Sequence, residues 1–318
     1  MIPPPRQWRL VAGVACLVAL PWLDGNPYHL DVLTTAWLSA LEALGLNIIV
    51  GFVGLLNLGY AAFFAIGAYT YALLNLHAGV NFWVGLPVSA AIAGLAGIIL
   101  GLPALRVRGD YLAIVTLGFG EIVRIVVTNL EPWTGGPNGL LGIASPRWFG
   151  HEFGVTSAPY YWLTLVAVVV AIVLSYRIRA SRIGRAWAAL REDEVAAQCV
   201  GIDAVQLKLL AQGCGAALGG AAGCIFAAKQ GTITPDSFDF VHSVMILAMV
   251  VLGGLGNPAG VVLGAVVLSV LPEVLREFAV YRMLLFGLTM ILIMRFRPQG
   301  LLGTAQIRRE LTRGPAVR

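Results

Sequence analysis

Long apolar stretches separated by short polar segments follow one another along almost the whole chain. A bilayer core about 30 Å thick needs roughly 20 apolar residues per helix, because backbone polar groups must be satisfied within each spanning segment. Ten stretches can be placed, at residues 10–23, 32–50, 58–76, 82–103, 111–129, 160–176, 208–228, 242–256, 258–275 and 282–296. The pattern predicts an all-α integral membrane protein, a polytopic helical bundle with about ten membrane segments.

The apolar run from residue 32 to residue 76 is interrupted by residues that weaken a helix. They are Asn47, Gly51, Gly54, Asn57 and Gly59. At these positions a helix has to break or cross the membrane partly unwound, since Gly lowers helix stability. The run 54–59 resembles 254–260, which is explained either by chance in a Gly-rich chain or by repeated interrupted segments that mark a transport site. Asn57 is therefore a candidate for the translocation path.

Composition favours a membrane protein over a soluble one. Of the 318 residues, 58% are hydrophobic and 12% are charged, and the mean hydropathy is +0.84. A soluble domain of this length needs a charged exterior, whereas a bundle that faces lipid does not. We expect one transmembrane domain over residues 1–318, surrounded by the lipid bilayer. The net charge of +5 is interpreted as a sign of membrane orientation and not of nucleic acid binding, so no nucleic acid partner is expected.

The distribution of Lys and Arg predicts the orientation. If ten segments start from a cytoplasmic N-terminus, Arg124 lies within a span and most of the 21 basic residues lie in the cytoplasm. Those outside are Arg147, Lys229, Arg276 and Arg282. Because basic residues are enriched in cytoplasmic segments, both termini are expected there, including a tail at 297–318.

Residues 10–23 also invite a different interpretation. Arg6 and Arg9 precede this apolar run as in a secretory signal peptide, yet residues 24–30 lack a small-residue cleavage pattern. An uncleaved first helix is therefore expected.

Residues 129–160 form a long outer segment under this topology. The segment is rich in Gly and Pro and carries aromatic residues that favour a membrane interface, namely Trp133, Trp148, Tyr160 and Tyr161. It is long enough to receive a partner protein. The candidate docking residues are Thr134, Gly135, Gly136 and Asn138.

A charged loop at 177–207 contrasts with the apolar chain around it. Residues 186–200 are good helix formers, and Gly201 follows as a C-terminal stop. The residues that share one face at helical spacing are Trp187, Leu190, Glu194 and Ala197. Such a helix can enter the groove of a partner closely, while a solvated cytoplasmic connector is the plainer alternative.

Five motifs, taken together and in this order, resemble the inner-membrane permease family of branched-chain amino acid ABC importers. They are GDYLAIVTLG at 109–118, TGGPNGL at 134–140, GRAW through REDE to a glycine at 184–201, VLGGLGNPAG at 251–260 and RPQGL at 297–301. The resemblance covers most of the chain between about residues 45 and 303.

The resemblance implies that residues 192–201 are the coupling segment of such a permease. This segment is related to the Glu-Ala-Ala loop that inserts into a groove of the ATP-hydrolysing subunit. Counted back from Gly201, the acidic position of the commoner motif falls on Val195, so that Glu194 lies one place early. The candidate coupling residues are Trp187, Arg191, Glu192, Asp193, Glu194, Ala196, Ala197 and Gly201.

By the same resemblance, the chain is a multi-pass protein of the bacterial inner membrane that pairs with a second homologous permease. Two cytosolic ATPase subunits drive it, and a periplasmic substrate-binding protein delivers the substrate. A phosphate-cradling loop needs glycines followed by Lys and a hydroxyl residue, and neither Lys208 nor Lys229 has that context. No cofactor is therefore expected on this chain, and ATP and Mg²⁺ are expected on partner subunits.

Glu121 and Arg124 lie one helical turn apart within the fifth apolar stretch, so their charges can pair. Glu121 lies roughly 15 Å along the helix from Tyr111, near the bilayer midplane. Ionisable residues inside membranes commonly mark a transport path. A structural ion pair that locks the helix to its neighbours is the alternative, and Glu42 is a weaker candidate of the same kind.

The sequence is compatible with three classes of function. By the resemblance, the leading one is a permease for branched-chain or related apolar amino acids, with amides, urea or aromatic compounds as alternative substrates. A channel or ion-coupled carrier would need no docking helix. An intramembrane enzyme would use Asp110 and Glu121, which lie about 15 Å apart without an arranged nucleophile, so no catalytic residue is expected. The histidines show no metal-ligand spacing, so no metal is expected either.

Overall fold

The computed structural model describes residues 26–104, 110–148, 151–153 and 157–274, together with positions 287, 291, 295, 300 and 301. The predicted apolar segment at 10–23 lies outside the described residues. So do most of the segment at 282–296 and most of the tail at 297–318.

Within this part of the chain, helices make up most of the fold. The long ones are α1 (Pro27–Leu46), α2 (Ala61–Ala78), α3 (Phe82–Ala104), α4 (Asp110–Asn129), α6 (Ser157–Ala180), α9 (Ala204–Gln230), α10 (Phe240–Gly253) and α11 (Pro258–Val274). Shorter ones are α5 (Glu131–Thr134), α7 (Arg182–Glu192) and α8 (Glu194–Cys199), with 3₁₀ turns at Gly136–Asn138 and Pro235–Phe238. The predicted all-α class agrees with this arrangement.

Two short antiparallel strand pairs complete the described elements. β1 (Leu140–Leu141) pairs with β4 (Thr232–Ile233), with Leu140 opposite Ile233. β2 (Arg147–Trp148) pairs with β3 (His151–Glu152). The β1–β4 pair joins the segments around 140 and 232, both of which the sequence predicts to lie outside the membrane on the same side.

Seven described helical stretches are long and apolar enough to cross a membrane. They are Pro27–Val53, Ala61–Ala78, Phe82–Pro103, Tyr111–Asn129, Ala158–Ala180, Ala204–Gln230 and Pro235–Gly253. The shorter apolar helix Pro258–Glu273 follows them. The chain is thus a polytopic helical protein. The total of ten segments stays a prediction, because the segment at 10–23 and most of the segment at 282–296 lie outside the described residues.

Helices α1 and α9 lie at the centre of the bundle. α9 packs along α3 and α2, while α1 packs along α6 and α11 and also contacts α9. Glycines permit the closest approach: a Cβ on Gly67 of α2 would overlap the backbone of Gly220 in α9. Small residues let helices pack where lipid offers no hydrophobic incentive to associate.

The predicted interruption after α1 is confirmed. α1 continues as a π-helical turn at Asn47–Val53, which ends at Gly54 with a φ of 84°. This left-handed conformation favours glycine, which has no Cβ to clash. Residues 54–60 then run without regular helix until α2 begins at Ala61.

Candidate functional site

The charged loop folds as two short helices, α7 and α8, where the sequence predicts a single helix over 186–200. That prediction is wrong at Asp193, whose backbone is extended, with φ −155° and ψ 112°. The Asp193 carboxylate accepts hydrogen bonds from the N–H groups of Val195 at 2.8 Å and Ala196 at 3.0 Å. A side chain that caps a new helix in this way competes with continuation of the old one.

One face of this helix pair is anchored to the bundle. Trp187 is 1% exposed, and its indole N–H donates to the carbonyl of Leu207 over 2.9 Å. Its ring stacks on Phe52 of the π turn, with centroids 6.4 Å apart. Leu190 and Ala197 are buried in the same cluster. These three residues of the predicted common face therefore point at the membrane bundle despite the break at Asp193.

Glu194, the fourth residue of that face, is held by an ion pair. Its Oε1 lies 2.6 Å from Nζ of Lys208 in α9, and the Lys208 side chain is 13% exposed. The carboxylate also begins α8, where a negative charge favours the exposed N–H groups of the first turn. Glu194 thus fixes α8 against α9.

The opposite face is open. Glu192, Asp193, Ala196 and Gly201 are exposed. Two apolar side chains accompany them, Val195 at 62% and Val200 at 77% exposure. This exposed face, with its carboxylates and two valines, is the candidate contact surface for another protein. Contact of these residues with an ATPase stays a prediction.

Arg191 bonds within the chain. Its Nη1 donates to the carbonyl of Gly51 over 2.6 Å, although 140 residues separate the two positions. Arg179 likewise donates to the carbonyl of Gly256, over 3.0 Å. Sequence reasoning missed both contacts, because nothing in local spacing signals a bond between an Arg and a distant backbone carbonyl.

Asn57 lies in the interrupted segment between α1 and α2 and is fully buried. Its Nδ2 donates to Oε1 of Gln212 over 3.3 Å, and its Oδ1 accepts from the N–H of Gly59 over 2.9 Å. The N–H of Leu58 donates to the hydroxyl of Thr116 in α4 over 3.0 Å. In this conformation, Asn57 holds the unwound backbone in place, and its role on the path stays a prediction.

Glu121 and Arg124 form the ion pair that their spacing allows. Nε of Arg124 lies 3.2 Å from Oε2 of Glu121, and the two side chains are 37% and 35% exposed. Arg124 also lies 3.8 Å from the carboxylate of Asp236. A small open cleft adjoins Glu121 and is lined by the starts of α2 and α10, including Ala61 and Ser243. A second open cleft lies beside Arg124 and Asp236. Each member of the pair therefore borders a cleft of its own.

Glu42, the weaker candidate from the sequence, is the acid that the structure buries fully. Glu42 of α1 is 1% exposed, and its Oε2 lies 2.8 Å from Nε2 of His242 in α10. The two residues are 200 positions apart, so no motif signals the pair. No group of three or more His, Cys, Asp or Glu that could hold a metal ion occurs among the described residues.

The candidate outer docking residues fall in a tight turn after α4. Thr134 is 4% exposed, and its hydroxyl lies 2.6 Å from the carbonyl oxygen of Val127. Gly135 and Gly136 have positive φ values of 71° and 57°. Asn138 is exposed. Thr134 thus shapes the turn from inside while Asn138 lies on its surface, and docking at this turn stays a prediction.

The family described as branched-chain amino acid transport system / permease component matches residues 28–294. No solved structure gives a significant match.

Curated relatives include permease proteins from bacteria and an archaeon. The high-affinity branched-chain amino acid transport system permease protein LivM of Escherichia coli (strain K12) is 44% identical, over 96% of this chain and 77% of its own. The probable LivM permease of Methanocaldococcus jannaschii is 26% identical, over 82% and 89%. The permease protein LivH of Escherichia coli (strain K12) is 24% identical, over 84% and 92%.

These relatives are transport permeases and not enzymes, and two of them, LivM and LivH, come from one organism. The match extends along nearly the whole chain and includes the spans, the interrupted α1 and the charged loop. This chain is therefore a multi-pass membrane protein that belongs to the family of permease components of branched-chain amino acid transport systems.

Proposed function

We propose that this chain is one of two permease subunits of an ATP-driven importer for branched-chain or related apolar amino acids. The observation that carries the proposal is the 44% identity over 96% of the chain to a LivM permease. The second subunit would be a homologous permease, since LivH is also similar to this chain. A periplasmic binding protein would deliver the substrate, and two cytosolic ATPases would supply ATP, Mg²⁺ and the hydrolysis.

The α7–α8 pair is the surface that would meet the ATPase in the cytoplasm. Its buried face is fixed on the bundle through Trp187, and Glu194 is tied to α9 through Lys208. A helix that is fixed to the bundle passes a movement of the ATPase on to the bundle, whereas a flexible connector would not. The exposed carboxylates and valines on the outer face would supply the contact. We assign the coupling role to this pair on that basis.

The Glu121–Arg124 face of α4 would border the translocation path or the second permease. α4 is the least buried of the described candidate spans. Charged side chains that face acyl chains are costly, and such residues generally face a bundle interior or a water-filled cavity. Because both side chains are about one-third exposed on this subunit alone, we infer that water or the second permease covers them.

The binding protein would dock on the periplasmic side of the bundle. The turn at residues 134–138 and the β1–β4 pair lie at the end of the bundle opposite the α7–α8 pair in the proposed orientation, with both termini in the cytoplasm and ten crossings. Trp133, 58% exposed, stands beside this turn and offers an aromatic contact. Aromatic side chains are enriched in protein interfaces.

Leucine uptake into vesicles tests the proposed function. Vesicles would contain this chain, a second permease and the ATPases, with leucine-loaded binding protein outside. Uptake should require ATP and compete with isoleucine and valine. Uptake without ATP would exclude an ATP-driven importer, and competition by urea or phenylalanine instead would exclude the proposed substrate class.

In the same vesicles, the substitution Glu121→Gln should lower leucine uptake roughly tenfold, equivalent to about 1.4 kcal/mol in the transport barrier. The amide keeps the shape of the side chain but removes the charge that pairs with Arg124. Asp236→Asn is the matched control, since Asp236 is the more distant partner of Arg124 at 3.8 Å and should matter little. Normal uptake by purified Glu121→Gln complexes, or a loss explained entirely by lower complex yield, would favour the structural ion pair.

A further inference from the structure

Three segments far apart in sequence meet beside the α7–α8 pair, and we name this contact the glycine junction. It consists of Gly51–Gly54 at the end of the π turn, Gly254–Asn257 before α11, and Gly300–Leu301. The carboxamide oxygen of Asn47 accepts from the N–H of Gly256 over 2.8 Å, and the N–H of Leu301 donates to the carbonyl of Leu252 over 2.8 Å.

The glycine junction has no room for side chains at its contacts. A Cβ on Gly51 would lie 2.6 Å from the nitrogen of Gly256, and one on Gly300 would lie 2.6 Å from the Cα of Gly254. The backbones are therefore in direct contact. Since protein interiors are close-packed, displacing one of these segments displaces the others.

Two arginines connect the charged loop to the glycine junction. Arg191 of α7 bonds the carbonyl of Gly51, and Arg179 of α6 bonds the carbonyl of Gly256. The stem of Arg191 also lies over Gly54, 3.2 Å from the position of a Cβ there. The Gly51 carbonyl lies in the last turn of the π-helical segment, where carbonyl groups lack partners within the helix and carry partial negative charge that a guanidinium stabilises.

The junction leads on to the cleft beside Glu121. Residues 54–60 connect it to α2, and within them Leu58 bonds the hydroxyl of Thr116. A Cβ on Gly59 would overlap the backbone of Thr116, so the interrupted segment and α4 also touch directly. Thr116 and Glu121 belong to the same helix, α4. Contacts thus run without a gap from α7 through the π turn to the helix that carries the Glu121–Arg124 pair.

We propose that Arg191, supported by Arg179, is the positioning residue that passes movement of α7 to the interrupted α1 and onward to α4. The inference rests on the proposed ATPase contact at α7–α8. This role differs from that of the exposed carboxylates and valines of the pair, which would meet the partner, because the Arg191 guanidinium binds the backbone of the π turn. Arg191 would then matter for how much substrate moves per ATP and not for whether the ATPases bind.

The test is leucine uptake per ATP hydrolysed in vesicles that contain this chain, the second permease and the ATPases, with leucine-loaded binding protein outside. Arg191→Gln should lower that ratio about tenfold, the size expected for one lost charge-assisted hydrogen bond, while ATP hydrolysis continues. Arg191→Lys, which keeps the charge and a donor, should recover part of the ratio. Arg177→Gln is the matched control for the loss of one positive charge, because Arg177 is exposed on α6, outside the α7–α8 pair.

An unchanged ratio in Arg191→Gln would overturn the inference, and so would a loss of complex with no change in ratio. If the Arg191→Gln chain does not assemble with its partners, the same ratio of leucine uptake to ATP hydrolysis is measured for Arg179→Gln. A lowered ratio supports the inference, and a normal ratio overturns it. A wild-type complex that hydrolyses ATP without importing leucine would overturn the proposed function itself, and this inference with it. Normal wild-type uptake beside an unchanged Arg191→Gln ratio would overturn the inference alone.

Discussion

Replacing Glu192 and Glu194 together by Lys is expected to lower leucine uptake on the order of tenfold or more, while the chain still inserts into the membrane. Two effects add. The exposed surface proposed to meet the ATPase reverses its charge, and juxtaposed like charges are costly at an interface. In addition, a Lys at 194 places a second ammonium beside Lys208, which now lies 2.6 Å from Glu194. The measurements are uptake in vesicles and co-purification of the ATPases.

A suitable control is Gln206→Lys, which adds one positive charge at an exposed position on the same side of the bundle, outside α7 and α8. It should leave uptake near the wild-type rate. Wild-type uptake in the double Lys variant would discard the coupling role of this surface.

The substitution Trp187→Ala should detach the coupling helices from the bundle. Trp187 is the largest fully buried side chain described, and it loses both its ring contact with Phe52 and its hydrogen bond to Leu207. Truncating such a residue costs about 3–5 kcal/mol. Because α7 and α8 are short, we expect them to lose their fixed position before the spans unfold. ATPase co-purification and leucine uptake should both fall by about two orders of magnitude or more.

Trp187→Phe separates packing from hydrogen bonding, since it retains an aromatic ring but not the indole N–H. It should give intermediate uptake. Trp133→Ala, on the outer turn, removes an equally large but 58% exposed ring and should leave ATPase co-purification unchanged. Full ATPase binding by Trp187→Ala would contradict the mounting of α7 and α8 through this residue.

Much of the fold could be predicted from sequence because membrane spans depend on local composition. Eight of the predicted apolar stretches coincide with described helices, seven long spans and one shorter helix. The break between Asn47 and Gly59 was visible because Gly and Asn weaken helices wherever they occur. The Glu121–Arg124 pair was visible because residues three apart share a helix face.

The features that the sequence did not reveal have two causes. Some depend on contacts between distant segments, and one depends on Asp193, where a side-chain cap competes with continuation of the helix. Residues 186–200 read as one helix by propensity, yet the Asp193 side chain bonds two backbone N–H groups and starts a new one. The Glu42–His242 pair and the Arg191–Gly51 bond join residues 200 and 140 positions apart. No local periodicity predicts such partners, because they arise only where α1 packs against α10 and where the π turn packs against α7.

The likeness between the sequences at 54–59 and 254–260 could be interpreted only with the structure. As sequence, it was compatible with chance or with a repeated transport element. In the structure, both runs begin in the glycine junction. Gly54 ends the π turn with a φ of 84°, while the backbone of Gly254 lies against Gly300. Each run therefore has its own structural reason for glycine, and any role in transport depends on the Arg191 test.

The most direct test of an importer driven through a cytosolic helix pair is labelling of Cys199. This cysteine is exposed at the end of α8, while Cys224 is buried. A membrane-impermeant maleimide, with the labelled peptide identified by mass spectrometry, should modify Cys199 in inside-out vesicles but not in intact cells, and added ATPase subunits should protect it. Labelling of Cys199 from outside intact cells, or equal labelling with and without the ATPases, would contradict that claim.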